Sequence, residues 1–326
     1  MKTKVNFQGL LFTGILLALV LFSKLNNNTV AKVSFQDDIK NTSLAAISAL
    51  SDRTPILTKL NSNSSLAVVN SETEESRPFK KEGVIELNLT SKIAFAEDLD
   101  SQKLLYSQGT EKRWPIASIS KLMTAVIAME KLGPDKIATI SQTAIDTEGL
   151  AGDFKLNEKY SIRDMVKIML FVSSNDAAVA ISEFYGQTNF IKEMNMKAAE
   201  LGMNETNFFD CTGLSVLNQS NTSDLTKLAQ YILKQRPEIF NFTKTKELSV
   251  VELSSNSVKF YTNINYFAGQ NDFLGGKTGF IESSEQNLLS IFSYKGHKIL
   301  TIILGSTDRF ADTQKLFDWV KNSYEF

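Results

Sequence analysis

WPIASISKLMTAVIAMEKLGPDK, residues Trp114 to Lys136, sets a serine and a lysine one turn apart at the head of an otherwise apolar helix. Ser118 and Lys121 stand at i and i+3 and share one face, while Leu122, Met123, Val126, Ile127 and Met129 wrap the remainder in hydrophobic surface. A lysine so placed must leave water. Burial disfavours its ammonium form, so the amine can act as a base towards a neighbouring hydroxyl near neutral pH. The same string also fits a plain core helix in which Ser118 caps the start and Lys121 snorkels outward. The rest of the chain has to decide between them.

Composition narrows the chemistry first. The 326 residues are 43% hydrophobic, enough for a substantial core, and the formal charge of −1 offers no basic stripe for nucleic acid. One cysteine, Cys211, and one histidine, His297, exclude an internal disulfide and a Cys/His zinc site. His297 lies in SYKGHKIL, which reads as a hairpin turn rather than a catalytic position. A hydrolase built from this chain takes its base from a lysine or a carboxylate, and neither metal nor cofactor is expected.

The first residues, MKTKVNFQGLLFTGILLALVLFSK, pair a basic start with an apolar run from Gly9 to Phe22. That run suits a signal-peptide core or a short N-terminal membrane anchor over residues 1–24, and so predicts export. Residues 25–83 are rich in Asn, Ser and Thr and read as a flexible stalk, with DDIKNTSLAAISALSDRT able to form a short amphipathic helix. Order is expected over 84–326, placing that part outside the cytoplasmic membrane.

Within it, KIAFAED and KLLYSQ around the turn-prone LDSQ predict a β-hairpin ahead of the Trp114 stretch, whose helix should stop at Gly133-Pro134. A helical block follows: SIRDMVKIMLF opens with a capping-box pattern, and NDAAVAISEFYG and NFIKEMNMKAAELGM each close on a glycine. SDLTKLAQYILKQRP ends before Pro237. Strand character returns in ELSVVEL, SVKFYTN, DFLGGKTGF, QNLLSIFSY and KILTIILGS, before a closing amphipathic helix. The pattern predicts an α+β fold, with two strands before the helical block and three after it forming one antiparallel sheet, built from both ends of this region and covered by helices.

Two further segments meet the opening serine and lysine. In FVSSNDAAVAI, Ser173 and Asn175 occupy the joint between two helices, where a break leaves polar side chains free to face a cleft. In GGKTGF, Lys277 and Thr278 lie on a strand flanked by glycines, which admit a ligand's close approach. S-x-x-K on a helix, S-x-N at a helix joint and K-T-G on a strand, in that order, form a set associated with penicillin-binding proteins and serine β-lactamases.

On these motifs the chain resembles the D-alanyl-D-alanine carboxypeptidases, the low-molecular-weight penicillin-binding serine peptidases. The likeness runs from about Lys92 to Phe326 and extends to AFAEDLDSQKLLYSQGTEKRWPIASISKLMTA, MNMKAAELGMNETNF, Gly213-Leu214 and GSTDRFADTQKLFDWV. It implies the penicillin-binding fold, peptidoglycan stem peptides as substrates and β-lactams as covalent inhibitors. By position it implies Ser118 as nucleophile, Lys121 as base, Ser173 as proton relay and Asn175 as an orienting group. Lys277 and Thr278 would hold the substrate carboxylate, and the N–H groups of Ser118 and of Phe280, which follows Gly279, would form the oxyanion hole. Phe280, Ser284-Glu285 and Asp210-Cys211-Thr212 depart from the usual pattern and bear on substrate choice. Cleavage of D,D cross-links, a serine β-lactamase and a non-hydrolytic cell-wall-binding protein stand as alternatives to the carboxypeptidase.

Overall fold

A computed structural model describes residues 77–149 and 151–326. The apolar run from Gly9 to Phe22 and most of the Asn/Ser-rich stretch lie outside the described residues. Among those described, no helix is long and apolar enough to cross a membrane.

The two segments joined by the LDSQ turn form strands β1, Ile93–Asp98, and β2, Lys103–Gln108. Much later in the chain come β3, Phe273–Ile281, β4, Glu285–Tyr294, and β5, His297–Ser306. All five make one antiparallel sheet in the order β3-β4-β5-β1-β2, so the sheet is assembled from both ends of the domain as the sequence implies. Alternation along β5 explains its two buried faces: Leu300, Ile302 and Leu304 enter the core shared with the helical block, and Ile299 and Ile303 enter the other. The helix Arg309–Ser323 covers that second face, with Phe317 stacked on Phe292 at 4.3 Å between ring centroids.

The helical block holds α1, Lys121–Ile127, α2, Ile162–Phe171, α3, Asn175–Tyr185, α4, Gln187–Glu200, and α5, Thr222–Gln235. Ser161 and Asn221 cap α2 and α5 through Asp164 N and Asp224 N, and Ser174 caps α3 through Ala177 N. The chain leaves the α1 region at Gly133, with φ of +91°, ahead of Pro134.

Two expectations need correction. Trp114–Pro115 pairs as a short strand with Gln219–Ser220, and Ser118 belongs to a 3₁₀ turn, Ala117–Ser120, ahead of α1. The strands Glu247–Val251 and Val258–Thr262 pair only with each other as a separate hairpin, which leaves two strands before the helical block and three after it in the main sheet, as expected. Ordered structure also begins upstream of Val84. Phe79–Lys80 pairs with Tyr324–Glu325, Trp319 Nε1 donates to Ile85 O at 2.8 Å, and Thr90 Oγ1 donates to Asp312 at 2.7 Å. Such contacts join positions more than two hundred residues apart, which local pattern does not register.

Candidate active site

The 3₁₀ turn carrying Ser118 is fixed from three sides. Ile116 N donates to Asn218 O, Asn287 Nδ2 donates to Pro115 O, and Trp114 Nε1 donates to Ser284 O, all at 2.9 Å. In a 3₁₀ turn residues i and i+3 eclipse, so Ser118 and Lys121 meet more directly than on an α-helix. Ala117, just ahead of the serine, has φ of +48°, a left-handed conformation that a non-glycine residue holds only when its surroundings enforce it.

Lys121 is fully buried, and its Nζ lies 2.9 Å from Ser118 Oγ, 2.6 Å from Asn175 Oδ1 and 2.6 Å from Thr212 O. Burial pushes its pKa down to about 7, against the nearby negative potential of Cys211, Asp210 and Asp176, which favours the charged form. The lysine therefore shares its proton at neutral pH. As a neutral amine it has two N–H donors, for Asn175 and Thr212, and a lone pair left for the Ser118 hydroxyl. That arrangement is competent for nucleophile activation.

Ser173 sits in the joint between α2 and α3 with φ of +61°. Its Oγ accepts from Lys277 Nζ at 2.9 Å, and the same amine reaches Thr278 O at 2.8 Å and Thr278 Oγ1 at 3.3 Å. Lys277 is 1% exposed, and its pKa is driven well below the ordinary lysine value by burial, then by the charges of Lys121 and Arg309. Repulsion between cations thus acts on Lys277, whereas for Lys121 burial is the acidifying cause. The S-x-N segment divides its labour: Ser174 caps the helix, while Ser173 and Asn175 face the two lysines.

Glycines permit these approaches. A Cβ on Gly279 would lie 2.7 Å from Ile116 O, so only glycine lets β3 close on the Ser118 turn. Phe280, next along β3, is 60% exposed and lines the cleft wall rather than the core.

Three participants escaped the sequence reading. Thr212 O holds Lys121 from a loop organised by Asp210, whose Oδ1 accepts from Thr212 N, Thr212 Oγ1 and Gly213 N, and whose Oδ2 accepts from Ser215 N. The signal was present as Asp-x-Thr-Gly, an Asx-turn pattern. Arg309 Nη1 donates to Gly279 O at 2.9 Å while its Nε is buried without a partner, adding a cation beside the K-T-G strand. Asn175 Nδ2 donates to Glu148 O at 2.6 Å, tying a third loop to the site. His297 lies elsewhere, opening β5 with Nδ1 3.0 Å from Asp98 Oδ2.

The family model described as D-alanyl-D-alanine carboxypeptidase matches residues 80–308. The chain belongs to that family. It is 33% identical over 243 residues to a D-alanyl-D-alanine endopeptidase of Escherichia coli K12, covering 72% of this chain and 78% of the relative. It is 30% identical over 256 residues to D-alanyl-D-alanine carboxypeptidase DacF of Bacillus subtilis, covering 74% and 64% of the two chains. Among solved structures, penicillin-binding protein D2 of Listeria monocytogenes in its ampicillin-bound form superposes with a TM-score of 0.65 at 27% identity, covering 73% of this chain and 99% of that one. This family member is a peptidase with the penicillin-binding fold.

Proposed function

We propose that this enzyme is a serine D-Ala-D-Ala carboxypeptidase that trims peptidoglycan stem peptides through an acyl-enzyme on Ser118. The observation that carries the reading is the buried Lys121 amine, 2.9 Å from Ser118 Oγ, with its pKa near 7. Ser118 Oγ attacks the carbonyl carbon of the penultimate residue and passes its proton to Lys121 Nζ. The oxyanion meets the backbone N–H groups of Ser118 and Phe280. Collapse breaks the peptide bond as Ser173, whose oxygen is held by Lys277, gives its proton to the leaving amine and is reprotonated with the proton Lys121 took from Ser118, so that Lys121 is neutral again for the water step. Water then hydrolyses the ester and frees Ser118.

Lys277, Thr278 and Arg309 provide the place for a carboxylate. In the free enzyme burial disfavours the Lys277 ammonium, and an arriving carboxylate restores it, so binding draws a proton onto the site. That preference for a free carboxylate supports the carboxypeptidase. Cleavage of D,D cross-links is the second reading, supported by the similarity to the E. coli endopeptidase. Incubation with purified peptidoglycan fragments and mass spectrometry separates the two. Loss of one alanine from monomeric pentapeptides supports the first reading, and conversion of cross-linked dimers to monomers supports the second.

The substrate's location and the basic, apolar N-terminus support an extracytoplasmic enzyme, held at the membrane through residues 1–24 or released by their cleavage. β-lactams are its expected covalent inhibitors, with no metal or cofactor in the reaction.

A further inference from the structure

Ser120, Lys121 and Thr124 share one face of the segment that carries Ser118, and all three are fully buried. Polar groups removed from water need partners. Each of these finds one in the same loop, residues 209–218. Ser120 Oγ accepts from Asn218 Nδ2 at 3.1 Å, Lys121 Nζ donates to Thr212 O at 2.6 Å, and Thr124 Oγ1 donates to Cys211 O at 2.7 Å. The reaction itself uses only the Lys121 contact, so the contacts on either side of it call for another explanation.

Asn218 is the joint between loop and turn. Its side chain is fully buried, with Oδ1 accepting from Phe209 N at 2.7 Å and Asp210 N at 3.2 Å. Its Nδ2 donates to Asp210 O at 3.0 Å as well as to Ser120 Oγ. Two N–H groups at one end, with a carbonyl and a hydroxyl at the other, are the complement of an amide and of no other side-chain group. The backbone of Asn218 serves the same joint: its O accepts from Ile116 N at 2.9 Å, and its N donates to Ser215 O at 3.1 Å. One residue therefore closes the loop on itself and holds it to the Ser118 turn at both ends, at Ile116 ahead of the turn and at Ser120, its last residue. Asp210, gripped through its main chain by Asn218, in turn accepts from Thr212 N and Gly213 N through its carboxylate. The place of Thr212 O is thus handed on from Asn218 through Asp210.

We propose that Asn218 is a positioning residue for acylation: it locks the Thr212 carbonyl to the Ser118 turn, so that Lys121 is held between the loop and the nucleophile with its lone pair on Ser118 Oγ. The inference rests on the acyl-enzyme reading for what is being positioned. Asn218 acts through Ser120 and Asp210 and not on the substrate. Lys277 and Thr278 stand on β3 and depend on neither, so loss of the joint should slow the chemical step while leaving ligand binding in place.

The test is a double-mutant cycle on the full chain, with Ser120→Ala, Asn218→Ala and the pair, read by stopped-flow acylation with a fluorescent penicillin. Varying the penicillin concentration separates the Kd of the first complex from the acylation rate constant, and the final labelled fraction counts folded sites. Ser120→Ala removes the bond from turn to loop and leaves the loop's own bonds to Asn218 intact, so it stands even where Asn218→Ala fails to fold. The rate constant should fall about tenfold in Ser120→Ala and roughly 10²-fold in Asn218→Ala, the scale of a small misplacement at a reacting centre, with Kd and labelled fraction unchanged. The double variant should match Asn218→Ala within about twofold, because both substitutions break one joint. A wild-type rate constant in Ser120→Ala overturns the proposal, as do losses that multiply in the double variant. A loss confined to Kd or to the labelled fraction also overturns it, since that is what a merely structural residue gives. Absence of any Ser118 adduct in the unsubstituted enzyme would be a different failure, that of the peptidase reading, and would take this role with it.

Discussion

Lys121 is where residue chemistry decides the account, since an ammonium fully removed from water costs several kcal/mol unless it is paired or gives up its proton. Its three neighbours are neutral oxygens, so the site tolerates either protonation state, and the pKa settles near 7. The base must be neutral to accept a proton, so kcat/KM should rise with pH through about 7. Asp176, on the first turn of α3, works against burial: its carboxylate favours the Lys121 ammonium, and its own pKa is pushed up to about 6 by burial. Asp176→Asn should therefore lower the Lys121 pKa and move the acid limb of the pH profile to lower pH. An unmoved limb in a folded Asp176→Asn enzyme would contradict this electrostatic account. Lys277→Ala should reduce kcat/KM by roughly 10²-fold or more for a free-acid peptide, with a much smaller loss for the C-terminal amide, as expected for losing one partner of a desolvated charge pair. Kinetics on the acid and amide pair measures the difference.

At the scale of elements, the site depends on turns that hold the helices and strands at unusually short range. Gly213 has φ of +85°, and a Cβ there would lie 2.1 Å from Ala117 O, inside the turn that presents Ser118. Gly213→Ala should displace that turn and slow acylation by roughly 10²-fold or more, the cost of about 1 Å of misplacement at a reacting centre. Stopped-flow acylation kinetics checks this, and a fast Gly213→Ala enzyme would show that the contact is not needed. The helices themselves were legible from sequence, because caps such as Ser161 and stops such as Gly133-Pro134 are local. So was the sheet, from its alternating strands. Thr212 O and Arg309 were not legible as site groups. Asp-x-Thr-Gly marks the turn at Asp210 but not that its Thr212 carbonyl meets Lys121, and Arg309 reaches Gly279 across thirty residues only because β3, β4, β5 and the last helix fold back on one another. The 3₁₀ form of the Ser118 turn was also hidden, since Trp114–Pro115 is held extended by its pairing with Gln219–Ser220.

For the whole molecule, the topology closes a circuit: the start and end of the described chain pair with each other, and the three motifs converge where sheet and helical block meet. Removing residues up to Gly83 should break the Phe79–Lys80 pairing and the Lys81 N to Ser323 O bond. The expected cost is about 1–2 kcal/mol, or roughly 2–8 °C in Tm for a domain of this size, with peptidase activity retained. Differential scanning calorimetry reads the shift, and an unchanged Tm would show that this closure adds nothing to stability. The central claim is that convergence makes Ser118 a nucleophile driven by Lys121. Labelling the protein with penicillin, digesting it and locating the adduct by mass spectrometry tests it most directly. The account predicts one adduct, on Ser118, absent from Ser118→Ala and formed roughly 10² to 10⁴ times more slowly in a folded Lys121→Ala variant. An adduct on Ser120 or Ser173, or undiminished acylation without Lys121, would contradict it.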